Sequence, residues 1–218
     1  MQPDARAIRA LKRRDPILAS AMQRTEAFPG FPTPELRRIS RYESLARAIT
    51  YQQLAGKAAA TIWGRVLALS SNGRLLAPPD LLATPEDRLR GAGLSRAKLA
   101  ALRDLALHVE DGHLKLRGIH HRDDEGVVED LVRVRGIGPW TAQMFLIFQL
   151  GRLDVMPIAD LGVQEGLRRL DGLADRPGPA ELLERSTVWA PLRSVATWHL
   201  WRLTELPAPP ADGTAAKA

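Results

Sequence analysis

Cysteine is absent from this 218-residue chain. That excludes disulfides, cysteine-ligated zinc and cysteine-held iron–sulfur clusters, and leaves the redox compartment undecided. Apolar runs long enough to cross a bilayer are also missing, and the first residues hold no signal-peptide core. A cytoplasmic protein without membrane contact is therefore the default expectation. No segment alternates polar and apolar residues at period two between turn signals, so strands are not expected, and there is no internal repeat. The length suffices for a sizeable core, as one domain or as two closely packed lobes.

The composition is basic. Lys plus Arg number 31 against 25 Asp plus Glu, a net charge of +6. Such a balance favours an anionic partner, although many soluble proteins share it. The positive residues are dispersed; the densest group, Arg6, Arg9, Lys12, Arg13 and Arg14, reads as one face of a first helix. Apolar periodicity predicts an all-α fold, with helices over 4–13, 15–26, 44–51, 55–69, 78–83, 85–92, 95–111, 123–134, 139–150, 161–170, 179–185 and 191–203. Ser44 and Ser95 are the expected N-caps. Residues 28–34, rich in proline, read as a loop, and the Pro/Ala/Gly-rich stretch 207–218 as a disordered tail. His120, His121, Asp123 and Asp124 invite a metal reading, but adjacent histidines diverge on most backbones, so a solvated loop is expected.

The most informative stretch is Val134-Arg-Gly-Ile-Gly-Pro-Trp-Thr-Ala142, followed by Asp160. An apolar helical pattern ends at Val134, two glycines break it, and Pro139 suits the first position of a second helix, nearly all apolar and expected to be buried. The amides at a helix start lack internal partners and sit at the positive end of the dipole, which suits a phosphate oxygen. The same residues fit a glycine-capped turn between two core helices. Asp160 likewise fits either a chemical role beside a bound phosphate or a plain N-cap.

These motifs resemble the helix-hairpin-helix DNA glycosylases, whose signature is the hairpin Gly136-Ile-Gly138, a loop with Gly151 and Pro157, and Asp160. Within that superfamily the chain most resembles the 3-methyladenine DNA glycosylase II family. The match runs through Ile49-Thr-Tyr-Gln-Gln-Leu-Ala-Gly-Lys-Ala58, Gly91-Ala-Gly-Leu-Ser-Arg-Ala-Lys98, Arg135 to Ala142, Pro157-Ile-Ala-Asp-Leu-Gly162 and Trp189-Ala-Pro-Leu-Arg-Ser194 with His199-Leu-Trp201.

The resemblance implies a monofunctional glycosylase of base excision repair acting on duplex DNA that carries alkylated purines, 3-methyladenine and 7-methylguanine by default. It implies that Asp160 is catalytic, stabilising positive charge on the deoxyribose and orienting or deprotonating water. Many relatives place a second acid just before this aspartate; here Ala159 stands there. Trp140 occupies the position where strand-cutting relatives carry a Schiff-base lysine, so base removal without strand cleavage is expected. Trp140, Trp201, Met144 and Tyr51 are the implied base pocket, since a cationic alkylated ring is drawn to aromatic faces. Trp63, Trp189 and Trp198 are expected in the core. Gln53 and Leu54 are the implied wedge and plug that fill the gap left by the flipped base. Gly136, Gly138 and Thr141 are implied to grip a phosphate through backbone amides. The carbonyls of Val132, Val134 and Ile137 are implied to hold a monovalent cation, Na+ or K+, with no cofactor required. Lys57 and Lys98 read as phosphate-facing or solvated.

The implied architecture is two helical lobes with the active site in the cleft between them: residues 1–43 plus 155–206, and residues 44–154. It is the compact form, without the N-terminal α/β domain of longer bacterial members, and monomeric. Two rival readings stay open on sequence alone, a bifunctional glycosylase/lyase and a non-catalytic helix-hairpin-helix DNA-binding module.

Overall fold

A computed structural model describes residues 1–207, and these contain helices and no strand. In chain order the α-helices are α1 (Ala5–Arg14), α2 (Pro16–Arg24), α3 (Pro34–Arg37), α4 (Arg41–Tyr51), α5 (Gly56–Leu67), α6 (Pro78–Ala83), α7 (Glu86–Gly91), α8 (Arg96–Glu110), α9 (Asp124–Val132), α10 (Pro139–Met144), α11 (Leu161–Asp171), α12 (Pro179–Arg185) and α13 (Arg193–Glu205). Short 3-10 turns occupy Ile119–His121 and Ser186–Trp189, and a π-helical turn occupies Phe145–Gln149. The all-α expectation holds. The expected tail at 207–218 lies, beyond Pro207, outside the described residues.

The chain forms two compact units, Met1–Gly30 together with the chain from Arg152, and Phe31–Gly151. The first boundary falls ahead of the expected residue 44, because the segment after Gly30 belongs with the second unit. There Phe31 is buried and meets the edge of the Phe148 ring, centroids 4.7 Å apart.

In the first unit, α11 and α13 pack side by side around Leu11, Leu18, Val163, Leu167, Val195 and Leu200, all buried. Asp15 caps α2 by accepting from the Leu18 amide. It is itself buried, accepts from the Trp189 indole at 2.7 Å and pairs with Arg185 at 2.7 Å. Burial alone would raise its pKa, but these three donors outweigh that and hold its carboxyl below the usual range. Trp198 departs from the expected core position. It is half-buried, donates to the Glu26 carbonyl at 3.1 Å and lies under the Arg202 guanidinium. The basic residues of α1 are exposed, and Leu11 is the buried residue of that helix.

In the second unit, Ser95 caps α8 as expected, accepting from the Lys98 amide. The expected cap at Ser44 is corrected: Ser40 caps α4 by accepting from the Glu43 amide at 3.0 Å, and Ser44 lies inside the helix. The reason is that Arg41 and Tyr42 already adopt helical backbone, which the serine-based reading placed in the loop. The short helix α3 was hidden by the prolines around it, yet Pro34 stands at its start and Thr33 caps it. His120 and His121 are exposed on a 3-10 turn, and no group of three or more metal-ligating side chains occurs among the described residues.

Candidate functional site

The glycine hairpin is in the second unit. Helix α9 ends at Val132, the Val134 amide donates back to the Leu131 carbonyl at 3.1 Å, and the Ile137 amide to the Val134 carbonyl at 3.0 Å. Gly136 has φ +81, and a β-carbon there would sit 3.0 Å from that of Ala101. Glycine is thus required at 136 by backbone angle and by room. Gly138 differs from expectation. Its φ is −95, which any residue adopts, and a β-carbon there would meet nothing within 4 Å. Neither the turn nor the interior demands glycine at 138. The Arg135 amide donates to Asp104 at 2.7 Å, which ties the hairpin to α8.

After Gly138, α10 starts at Pro139. The segment's expected burial holds at Thr141, Ala142 and Phe145 to Ile147, while Gln143 and Met144 are half-buried and Trp140 in the first turn is 44% exposed. The helix widens into the π-helical turn at Phe145, a local irregularity of the kind frequent at functional sites.

The hairpin is held to the end of α4 by a residue that sequence reasoning did not single out. Gln52 donates through Nε2 to the Gly136 carbonyl at 2.8 Å and to Thr141 Oγ1 at 3.3 Å. The next residue, Gln53, has φ +55, and among the described residues no other non-glycine residue has a positive φ. Leu54 follows, 37% exposed. The two expected wedge residues therefore stand at the tip of a strained turn whose base is bonded to the hairpin. Lys98, expected to face solvent or phosphate, is half-buried. Its ammonium donates to the Thr50 carbonyl at 2.6 Å, and burial lowers its pKa.

Behind this turn lies a cavity of about 340 Å3 lined by Tyr51, Thr141, Met144, Phe145, Phe148 and Arg47, among others. The Arg47 guanidinium stacks 4.6 Å from the Tyr51 ring centroid. Two of the expected base-pocket residues, Tyr51 and Met144, share this cavity; Trp140 does not line it.

Asp160 is in the first unit, at the N-cap of α11. The loop that delivers it is fixed at several points. Arg193 forms a two-pronged ion pair with Asp154, both bonds 2.8 Å, and the Val155 amide donates to Ser194 Oγ at 2.9 Å. Gln164 donates to the Ile158 carbonyl at 2.8 Å. Asp160 is 8% exposed, and its Oδ1 accepts from the Val163 amide at 2.8 Å and from the Trp201 indole at 3.0 Å. The N-cap role and a chemical role are thus compatible. Trp201 is half-buried, and Ala159 beside the aspartate is exposed. Among the expected carbonyls, that of Val134 already accepts the Ile137 amide. The bonds from Gln52 and Trp201, and the seat of Trp201 over Gly162, join residues far apart in sequence and had no local signal.

Known proteins resemble this chain in sequence and in fold. A family described as HhH-GPD superfamily base excision DNA repair protein matches residues 46–191. A curated relative, DNA-3-methyladenine glycosylase 1 of Schizosaccharomyces pombe, is 35% identical over 176 residues, covering 80% of this chain and 77% of that protein. Among solved structures, the S. pombe 3-methyladenine DNA glycosylase Mag1 in complex with abasic DNA superposes with a TM-score of 0.80 at 31% identity, over 95% of this chain and 100% of that one. A DNA-3-methyladenine glycosidase from Bacillus halodurans superposes with a TM-score of 0.79 at 33% identity, over 92% of this chain and 90% of that one. On these matches the chain belongs to the HhH-GPD superfamily of base excision DNA repair proteins, in its 3-methyladenine DNA glycosylase branch.

Proposed function

We propose that this protein is a monofunctional DNA glycosylase that flips alkylated purines, 3-methyladenine and 7-methylguanine, out of duplex DNA and hydrolyses the N-glycosidic bond to leave an abasic site. The observation that carries the reading is Asp160, a buried carboxylate held in place by the α11 amide of Val163 and by the Trp201 indole. Breaking the bond between C1′ and the base nitrogen sends the electron pair to the base and leaves positive charge on the sugar. A fixed carboxylate stabilises that charge and takes up a proton as water bonds to C1′. An alkylated base is already cationic, so it leaves as a neutral ring without protonation by the enzyme.

The second unit supplies the grip on DNA. Gly138 leaves the backbone open for a phosphate to approach the amides at the start of α10. Gln53 and Leu54 occupy the gap left by the flipped base, which offsets part of the unstacking cost of a few kcal/mol. Trp140 offers an exposed aromatic face to a cationic base, and the cavity beside Tyr51 and Met144 lies in the same unit. Backbone carbonyls are the donors a hard monovalent cation prefers, so those of Val132, Val134 and Ile137 would hold Na+ or K+ at the hairpin, where the ion would supply positive charge toward a bound phosphate and would not be needed for the chemical step. The net charge of +6 suits a polyanionic partner, and the protein acts as a monomer. Support for the reading comes from the S. pombe relative, whose bound abasic DNA is the product that base removal generates.

Trp140 cannot form a Schiff base, so strand cleavage is not expected. The test is base release from methylated duplex DNA, with strand breaks counted before and after alkali. Free 3-methyladenine with strands intact until alkali supports the reading. Strand breaks without alkali, together with borohydride-trapped protein on DNA, would replace it with a glycosylase/lyase.

A further inference from the structure

We infer that Trp201 is a positioning residue whose indole N–H aims the Asp160 carboxylate, and that Gly162 and Gly166 form the seat that makes this contact possible. The inference rests on the catalytic role proposed for Asp160.

Two N–H donors, from Val163 at 2.8 Å and Trp201 at 3.0 Å, converge on one oxygen of Asp160. Capping α11 requires only the first. The second comes from α13 and fixes the torsion of the carboxylate about its own side chain.

The seat is built by glycine for reasons of space. Neither Gly162 nor Gly166 has a positive φ, so neither is there for its backbone angle. A β-carbon at 162 would lie 3.1 Å from Asp160 Oδ1, 3.1 Å from Trp201 Cδ1 and 3.4 Å from Trp201 Nε1. A β-carbon at 166 would lie 2.4 Å from the Leu200 carbonyl oxygen and 2.7 Å from its carbon. The two positions are one turn apart on the same helix face, the spacing of side-by-side neighbours. Glycine inside a helix costs stability, and here it allows α13 to lie close enough against α11 for the indole to reach the cap. Electrostatic stabilisation of a developing cation depends on such prior orientation, because a carboxylate free to rotate must reorganise during the reaction.

Trp201→Phe keeps the ring and removes the donor. Loss of one hydrogen bond to a charged group predicts a fall of about tenfold or more in the single-turnover rate of base release. Affinity for abasic duplex DNA should stay within about twofold, because the aimed carboxylate acts in the chemical step. Gly162→Ala, which crowds both partners, should change the rate in the same direction. A full rate in Trp201→Phe, or weakened DNA binding at an unchanged rate, overturns the inference and leaves the tryptophan as a ring-face contact. A second readout does not depend on activity. Of the five tryptophan indole N–H resonances, the one lost in Trp201→Phe should shift in Asp160→Asn while the others hold. If it does not move, the contact is absent and the inference fails. Absence of base release in the wild type would instead sink the proposed function, with the resonance shift still reporting on the contact.

Discussion

Gly136 and Gly138 look alike in sequence but differ in physical role. Gly136→Ala forces a β-carbon into a left-handed backbone and against Ala101. It should cost about 1–2 kcal/mol of stability, read as a lower urea midpoint. Gly138→Ala meets neither obstacle, so its midpoint should stay within about 0.5 kcal/mol of wild type. Affinity for abasic duplex DNA should nevertheless fall, because the new methyl group would stand where a phosphate is proposed to approach the backbone. Gln53 gives a converse case. Its φ of +55 is a strained conformation on an exposed turn, so Gln53→Gly should raise stability by up to about 1 kcal/mol. Base release should slow severalfold, because the side chain proposed to fill the flipped-out gap is gone. An unchanged rate in that variant would remove Gln53 from the wedge.

At the scale of elements, the hairpin was legible because two glycines and a proline interrupt an apolar pattern that is strong on both sides. Asp160 was legible as an N-cap for the same local reason. The clamps were not. Gln52 reaches the hairpin across 84 positions, and Trp201 reaches Asp160 across 41; no periodicity encodes either contact. Helix α4 began earlier than Ser44 because a serine inside a helix and a serine at its cap read alike. Helix α13 carries a further buried group, His199, 2% exposed. The Thr25 hydroxyl lies 2.9 Å from the Ala21 carbonyl and 2.7 Å from His199 Nδ1, so the imidazole is hydrogen-bonded inside the unit. Burial, with Lys12 as the lesser cause, pushes this imidazole down from 6.5 to about 4. Between those values the unfolded chain binds a proton that the folded chain refuses. The contribution to stability is therefore complete above about pH 6.5, declines by about 1.4 kcal/mol per pH unit below it, and is lost by about pH 4. His199→Gln should flatten this slope in urea midpoints measured from pH 7 to pH 4.5; a slope equal to wild type would exclude His199 as its source.

Over the whole molecule, the candidate residues divide between the two units. The hairpin, the Gln53 turn, Trp140 and the cavity belong to Phe31–Gly151, while Asp160 and Trp201 belong to the unit formed by the two ends of the chain. That arrangement cannot be read from composition or charge, which indicated only a helical, basic protein. It followed from the order of the motifs along the chain, which the family match over residues 46–191 supports. A fixed carboxylate added to a grip on DNA is what separates a glycosylase from a binding module. The most direct measurement is single-turnover release of 3-methyladenine from methylated duplex DNA by the wild type and by Asp160→Asn. Asparagine keeps an acceptor for Val163 and Trp201, so the fold and abasic-DNA affinity should persist while the rate falls by about a hundredfold or more. Equal release by both proteins, or binding by both with release by neither, would contradict the account.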